Sequence, residues 1–167
     1  MKAIMLFLMV IVLGSMGFSS LIIDGIHYSG IESESDMLIY DGINAAYVIS
    51  QIGKNSFEIG GNFSFISSAS SELFYKSGHF NTVLKAFVGH AYDLTEESAA
   101  GLRVVSRVGL MAANFEKFGV FFSITPVVYV RVGFLSFGVA AGLELEQFFG
   151  TKALPVVHAG GEITYRF

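Results

Sequence analysis

The chain has 167 residues, 53% of them hydrophobic and only 14% charged, with a net charge of −4 and no cysteine. A soluble domain ordinarily carries about a quarter charged residues, so much of this surface is adapted to something other than water. The acidic balance excludes a polyanion binder by composition, so no nucleic-acid partner is expected, and the missing cysteines exclude disulfides, thiol chemistry and a lipid-bearing cysteine.

The chain opens MKAIMLFLMVIVLG, an apolar run from Ala3 to Leu13 behind the single Lys2. Eleven residues fall short of the roughly 20 that span a bilayer as a helix. Gly14, Ser15, Gly17, Ser19 and Ser20 follow at once, which is the small-x-small pattern of a cleavable leader. Residues 1–19 are therefore expected to be a secretory signal peptide, and 20–167 the mature domain. Without Lys2 the net charge falls to about −5.

Beyond the leader, 19 glycines and two prolines argue against long helices, while β-branched and aromatic residues recur between turn signals. The spacing predicts eight strands, near 20–30, 38–52, 55–67, 80–93, 98–114, 117–131, 134–148 and 154–167. In the first, Leu21 to Ile26 is apolar on both faces, so its inward side stays open. In the third, Phe57, Ile59, Phe63 and Phe65 oppose Glu58, Gly60, Asn62 and Ser64. In the fifth, Leu102, Val104, Val108 and Leu110 oppose Arg103, Val105, Arg107 and Gly109. The sixth sets Val120, Phe122, Ile124, Val128 and Val130 against Phe121, Ser123, Thr125, Tyr129 and Arg131. In the seventh, Leu135, Phe137, Val139, Leu143 and Leu145 face away from Ser136, Gly138, Ala140, Gly142, Glu144 and Glu146. Residues spaced by two share one side of a strand, so each strand has one greasy face and one of small residues with scattered charges. The longest predicted connection is the Ser-rich stretch 67–79, with Glu72, Phe74, Tyr75 and Lys76; a shorter acidic one covers 31–36. If any loop holds a partner, these two are the candidates.

Such strands exceed the roughly 9 to 11 residues that cross a bilayer at a tilt. Small residues suit the narrow bore of an eight-stranded barrel. In lipid a sheet must close on itself, and an even strand number returns both ends to one side. The expected fold class is an all-β, eight-stranded antiparallel up-and-down transmembrane barrel.

The chain closes GGEITYRF, with Ile163, Tyr165 and Phe167 on one face and Glu162, Thr164 and Arg166 on the other. This octet resembles the carboxyl-terminal signature of bacterial outer-membrane β-barrel proteins, and the whole layout is similar to the small OmpA-transmembrane, OmpX-like and OmpW-like class. A glycine usually stands five residues before the final aromatic in that signature; here the position is Glu162, with Gly160 and Gly161 just upstream. The resemblance implies residence in the bacterial outer membrane, contact with its lipid, a monomer, and recognition of Ile163, Tyr165 and Phe167 by the barrel assembly machinery.

With the greasy faces outward, Glu58, Asp93, Glu144, Glu146 and Glu162 point inside, facing Lys85, Arg103, Arg107, Arg131 and Arg166. Charges in a poorly hydrated space are costly unless paired, so a balanced salt-bridge network that plugs the lumen is expected. Asn62, Thr125, Tyr129, His158 and Thr164 are its further partners. The alternative is a narrow porin-like path for small solutes, as charged rings make in channels. Tyr47, Tyr92, Phe149, Tyr165 and Phe167 suit interfacial girdles, and Asp41 and His90, on the lipid side, are expected at the rims.

Catalytic signals are sparse. His27-Tyr28-Ser29 sets a base and a hydroxyl on one face of a strand, as in some outer-membrane lipid-modifying acyl hydrolases, which makes a lipid-modifying enzyme the third reading. A lone triplet is a weak signal, and no enzymatic activity is expected from it. His27, His79, His90 and His158 lack ligand spacing, so neither a metal site nor a cofactor is expected.

Overall fold

The computed structural model describes residues 20–31, 37–69, 81–95 and 99–167. Residues 1–19, the expected leader, and nearly all of the two longer loops, including Glu72, Phe74, Tyr75, Lys76 and His79, lie outside the described residues. Eight strands follow in order: β1 Ser20–Ile31, β2 Met37–Ile52, β3 Asn55–Ala69, β4 Thr82–Asp93, β5 Ala100–Ala113, β6 Lys117–Val132, β7 Leu135–Phe148 and β8 Leu154–Arg166. Each pairs antiparallel with the next, and β8 returns to β1, closing the barrel. Closure leaves no sheet edge with unpaired backbone groups.

Turn chemistry sets the hairpins. Gly53 and Gly133, with φ of 59° and 63°, take the left-handed conformation that a two-residue connection demands. Between β5 and β6 the same conformation falls on Asn114 and Phe115, at 52° and 57°, and Asn tolerates it better than most residues. The connections at 53–54 and 133–134, with residues 94, 95 and 99, lie at the same mouth as the two ends of the strand run, here called the termini end. Those at 114–116 and 149–153 lie at the opposite mouth, the loop end, where β1 and β3 finish and β2 and β4 begin.

Alternation places the side chains. Along β6, Gly119, Phe121, Ser123, Thr125, Val127 and Tyr129 are buried in the bore, while Val120, Phe122, Ile124, Val128 and Val130 are exposed on the wall. Ile43, Val108, Val139, Leu143, Val157 and Ile163 extend this apolar belt around other strands. A sheet folded in water would bury these side chains. Here they form a continuous outer belt, as a membrane-spanning barrel requires.

Two irregularities interrupt the β2–β3 ladder. Ile39 pairs with Ser68 and Tyr40 with Ile66, leaving Ser67 unmatched, and Ile49 is skipped between Val48 and Ser50. An extra residue of this kind bends a strand and re-aims its side chains.

The periodicity places the strands within two residues of their observed bounds. It misses the inward register of β1, where Ile22, Asp24, Ile26 and Tyr28 face the bore. Asp24 is thus a sixth acid inside, and the expected balance of five acids with five bases becomes six with five among the described residues. The reason is local: Leu21 to Ile26 carries bulky aliphatics on both faces, so alternation gave no register there.

Candidate functional site

The bore is filled in layers. At the loop end, Leu38, Val83, Ala113, Phe148, Leu154 and Val156 form a dry apolar lid within a larger buried cluster. Beneath it lies Lys85 of β4, whose Nζ contacts Glu144, Glu146 Oε1 at 2.7 Å and the Tyr40 hydroxyl at 2.9 Å. Tyr40 donates its own proton to Glu146. The ammonium also lies 4.3 Å from the ring centroid of Tyr28, which stacks on Tyr40 at 4.4 Å, and 5.0 Å from that of Phe121. Two carboxylates and three ring faces thus replace water around one cation.

The next layer centres on Arg107 of β5. Its Nε donates to Glu58 at 2.5 Å, both terminal nitrogens lie 3.3 Å from Asp24 Oδ2, and the guanidinium stacks 4.8 Å from the Phe87 ring. Gly89 makes room: a Cβ there would fall 2.6 Å from the Glu58 carboxyl group. Beyond it, Arg103 pairs with Glu162, which also accepts from Thr164 at 3.0 Å, and Thr125 meets His158 Nε2 at 2.8 Å. Between the first and second layers the free space is about 10 Å³, which holds one water at most.

Asp93, Arg131 and Arg166 lie apart from these layers. They line an open vestibule of about 520 Å³ at the termini end, with Gln51, Lys54 and Tyr129. Tyr129 donates to Asp93 at 2.9 Å, while Arg131 lies 5.7 Å from the Tyr129 ring. Neither Arg131 nor Arg166 forms an ion pair with a described carboxylate. Of the ten lumen charges expected from the alternation, seven are therefore joined in three layers with Asp24 added, and three line a solvated mouth.

A second polar cluster lies on the outer wall. His27 and Asp41 are directly opposed in the β1–β2 ladder. Their side chains point outward, 55% and 58% exposed, with His27 Nδ1 2.6 Å from Asp41 Oδ1. The other carboxylate oxygen accepts from Ser67 Oγ at 2.8 Å, and Ser67 is the unmatched residue of the β3 bulge. Ser29, two residues beyond His27 on the same face, lines a broad apolar groove of about 740 Å³ with Phe122, Ile124, Leu143, Pro155 and Val157. His90, also outward, pairs instead with Asn55 Oδ1 at 2.9 Å toward the termini end.

No family model matches the chain, and no curated protein matches it. Solved structures do. The chain is similar to Neisserial surface protein A, with 13% identity over 90% of this chain and 97% of that one and a TM-score of 0.65. Similar values relate it to the N-terminal β-barrel domain of Pseudomonas aeruginosa OprF, with 13% identity over 89% and 99% and a TM-score of 0.55. The outer membrane enzyme PagL matches with 12% identity over 86% and 99% and a TM-score of 0.50. The chain has the fold of the small bacterial outer-membrane β-barrels.

The barrel also shows where the aromatic residues fall. Tyr92 and Phe167 are exposed near the termini end, and Phe149 is exposed at the loop end. Tyr165 is half-buried between the rings of Phe134 and Phe167, each 5.3 Å away, and Tyr47 is half-buried on the β2 wall. Ile163 is exposed on the wall beside them. Sequence reasoning missed Asp24 and did not link Asp41 to His27. The signal for the second was the pair of outward polar residues on neighbouring strands, but only the register across the 32–36 connection shows them opposed.

Proposed function

We propose that this outer-membrane barrel is a closed, monomeric integral membrane protein whose lumen does not conduct. The observation that carries the reading is the stack of layers headed by Lys85, Arg107 and Arg103 beneath an apolar lid, with about 10 Å³ of free space between the first two. A path for solutes needs continuous water and weak, exchangeable contacts along the bore. Here three cations are each held by carboxylates on other strands, and none of the three lines the vestibule at the termini end. Lipid covers the outer belt, and the outward row of Ile163, Tyr165 and Phe167 on β8 serves as the recognition element for assembly.

Planar-bilayer recording of the purified protein tests closure. No steady conductance is expected from the native chain; a steady, charge-selective current would sink the reading. Closure of the lumen does not bear on chemistry at the wall. The same fold carries an outer membrane enzyme, and the exposed His27–Asp41 pair favours a second reading, developed next.

A further inference from the structure

A charged or strongly polar pair on the lipid-facing side of a barrel wall is unfavourable in a depth-dependent way. His27 and Asp41 are nevertheless outward and exposed among apolar neighbours such as Ile43. They lie four residues in from the loop-end limits of β1 and β2. Their contact spans two strands already joined by a continuous ladder, so it is not needed to hold the wall together.

The contact has the polarity of a general base being prepared. A carboxylate bound to Nδ1 fixes the imidazole tautomer and orientation, leaving Nε2 as the nitrogen that can take a proton. The carboxylate is itself held from its other side by Ser67, through the bulge that re-aims β3. Ser29 supplies a hydroxyl on the same face, about 7 Å from His27 between Cα atoms. Ser29, His27 and Asp41 thus share one outward face of β1 and β2, with His27 and Asp41 in contact, and contacts between a nucleophile and its base commonly tighten only when substrate is bound.

The groove names the substrate class. It runs over the outer faces of β6, β7 and β8 within the apolar belt and reaches Ser29 at its edge. Its walls, Phe122, Ile124, Leu143, Pro155 and Val157, are suited to a hydrocarbon chain, and its place on a membrane-spanning wall puts lipid acyl chains against it. From this juxtaposition we infer that Ser29, His27 and Asp41 form a catalytic triad on the outer wall that hydrolyses a long-chain carboxylic ester of a membrane lipid, the acyl chain lying in the adjoining groove.

Ser29 Oγ attacks the ester carbonyl carbon as its proton passes to His27 Nε2. The tetrahedral adduct collapses with cleavage of the ester C–O bond, and the departing alkoxide takes that proton to leave as the lipid alcohol. Water then attacks acyl-Ser29, giving its proton to Nε2. The Ser29–acyl bond breaks, the proton returns to Ser29 Oγ, and a fatty acid is released. Asp41 stays ionised throughout and stabilises the imidazolium.

The inference rests on the outward face meeting lipid, so the test reads membrane insertion separately. The full chain is incorporated into vesicles of phosphatidylethanolamine alone and, in a second arm, of lipopolysaccharide. Flotation and heat-modifiable gel mobility report the inserted barrel, and mass spectrometry reports released fatty acid. Release from either lipid is expected, the arm showing which headgroup is used. Ser29→Ala and His27→Asn are each expected to lower it at least 100-fold, and Asp41→Asn at least 10-fold, with flotation and mobility unchanged. A fluorophosphonate adduct on Ser29 that is lost in His27→Asn keeps the test independent of any one variant's yield. An inserted native chain that releases nothing from either lipid, or a Ser29→Ala chain that retains the native rate, overturns the inference. Failure to float overturns the membrane reading instead.

Discussion

The lumen and the outer wall both hold charge where charge is costly, and they use it differently. Inside, the pairs cross the bore: Lys85 of β4 reaches β7, Arg107 of β5 reaches β1 and β3, and Arg103 of β5 reaches β8. Each ties together strands that share no ladder. Outside, His27 and Asp41 are ladder partners on adjacent strands, and their contact adds nothing to closure. Polarity that spans the barrel has a structural reason to be there; the pair on the outer wall has no such tie to make.

Substitutions can break or sharpen this contrast. The largest effect is expected from Lys85→Met, which leaves Glu144 and Glu146 buried without their cation. Removing one partner of a buried pair costs about 3–5 kcal/mol, to be read from urea unfolding in phospholipid vesicles. Next is Ile124→Arg, near the middle of the β6 wall, where a new charge facing lipid is expected to cost about 2–4 kcal/mol in the same titration. Arg103→Met is expected to destabilise more than the double change Arg103→Met with Glu162→Leu. Replacing a whole buried pair by apolar groups is often neutral or stabilising, so a double variant less stable than the single one would show that the pair is valued for more than mutual neutralisation. The smallest stability effect is expected from Asp41→Asn, within about 0.5 kcal/mol of native as for ordinary surface changes. If it instead destabilised the barrel as much as Lys85→Met, the wall pair would be a structural tie and the contrast would fail.

Most of the architecture is legible in the sequence because one physical rule repeats: outward side chains must be apolar over the belt, and inward ones must fit the bore. Strands β5 to β8 obey it over nearly their whole lengths, so Arg103, Arg107, Glu144, Glu146 and Glu162 could be assigned to the lumen from alternation alone. β1 does not announce its register, because Ile22 and Ile26 pack into the bore while Leu21 and Ile23 occupy the opposite positions; Asp24 was lost with it. The wall site was half legible. His27 and Ser29 form a visible triplet, but Asp41 is 14 residues away, and the Ser67 bulge that supports it has no sequence signature of its own.

Closure of β8 onto β1 also imposes an order in time. Chain synthesis yields β1 first, yet one of its edges waits until β8 has been made, with residues up to Arg166 in place. The pairs Arg107–Asp24 and Lys85–Glu144 join residues 83 and 59 positions apart, so they require distant segments that a nascent barrel does not yet possess. The His27–Asp41 contact requires only the first hairpin. The wall pair is thus local to one hairpin, the Lys85 layer waits for β7, and only the Arg103–Glu162 pair waits for the strand that closes the barrel.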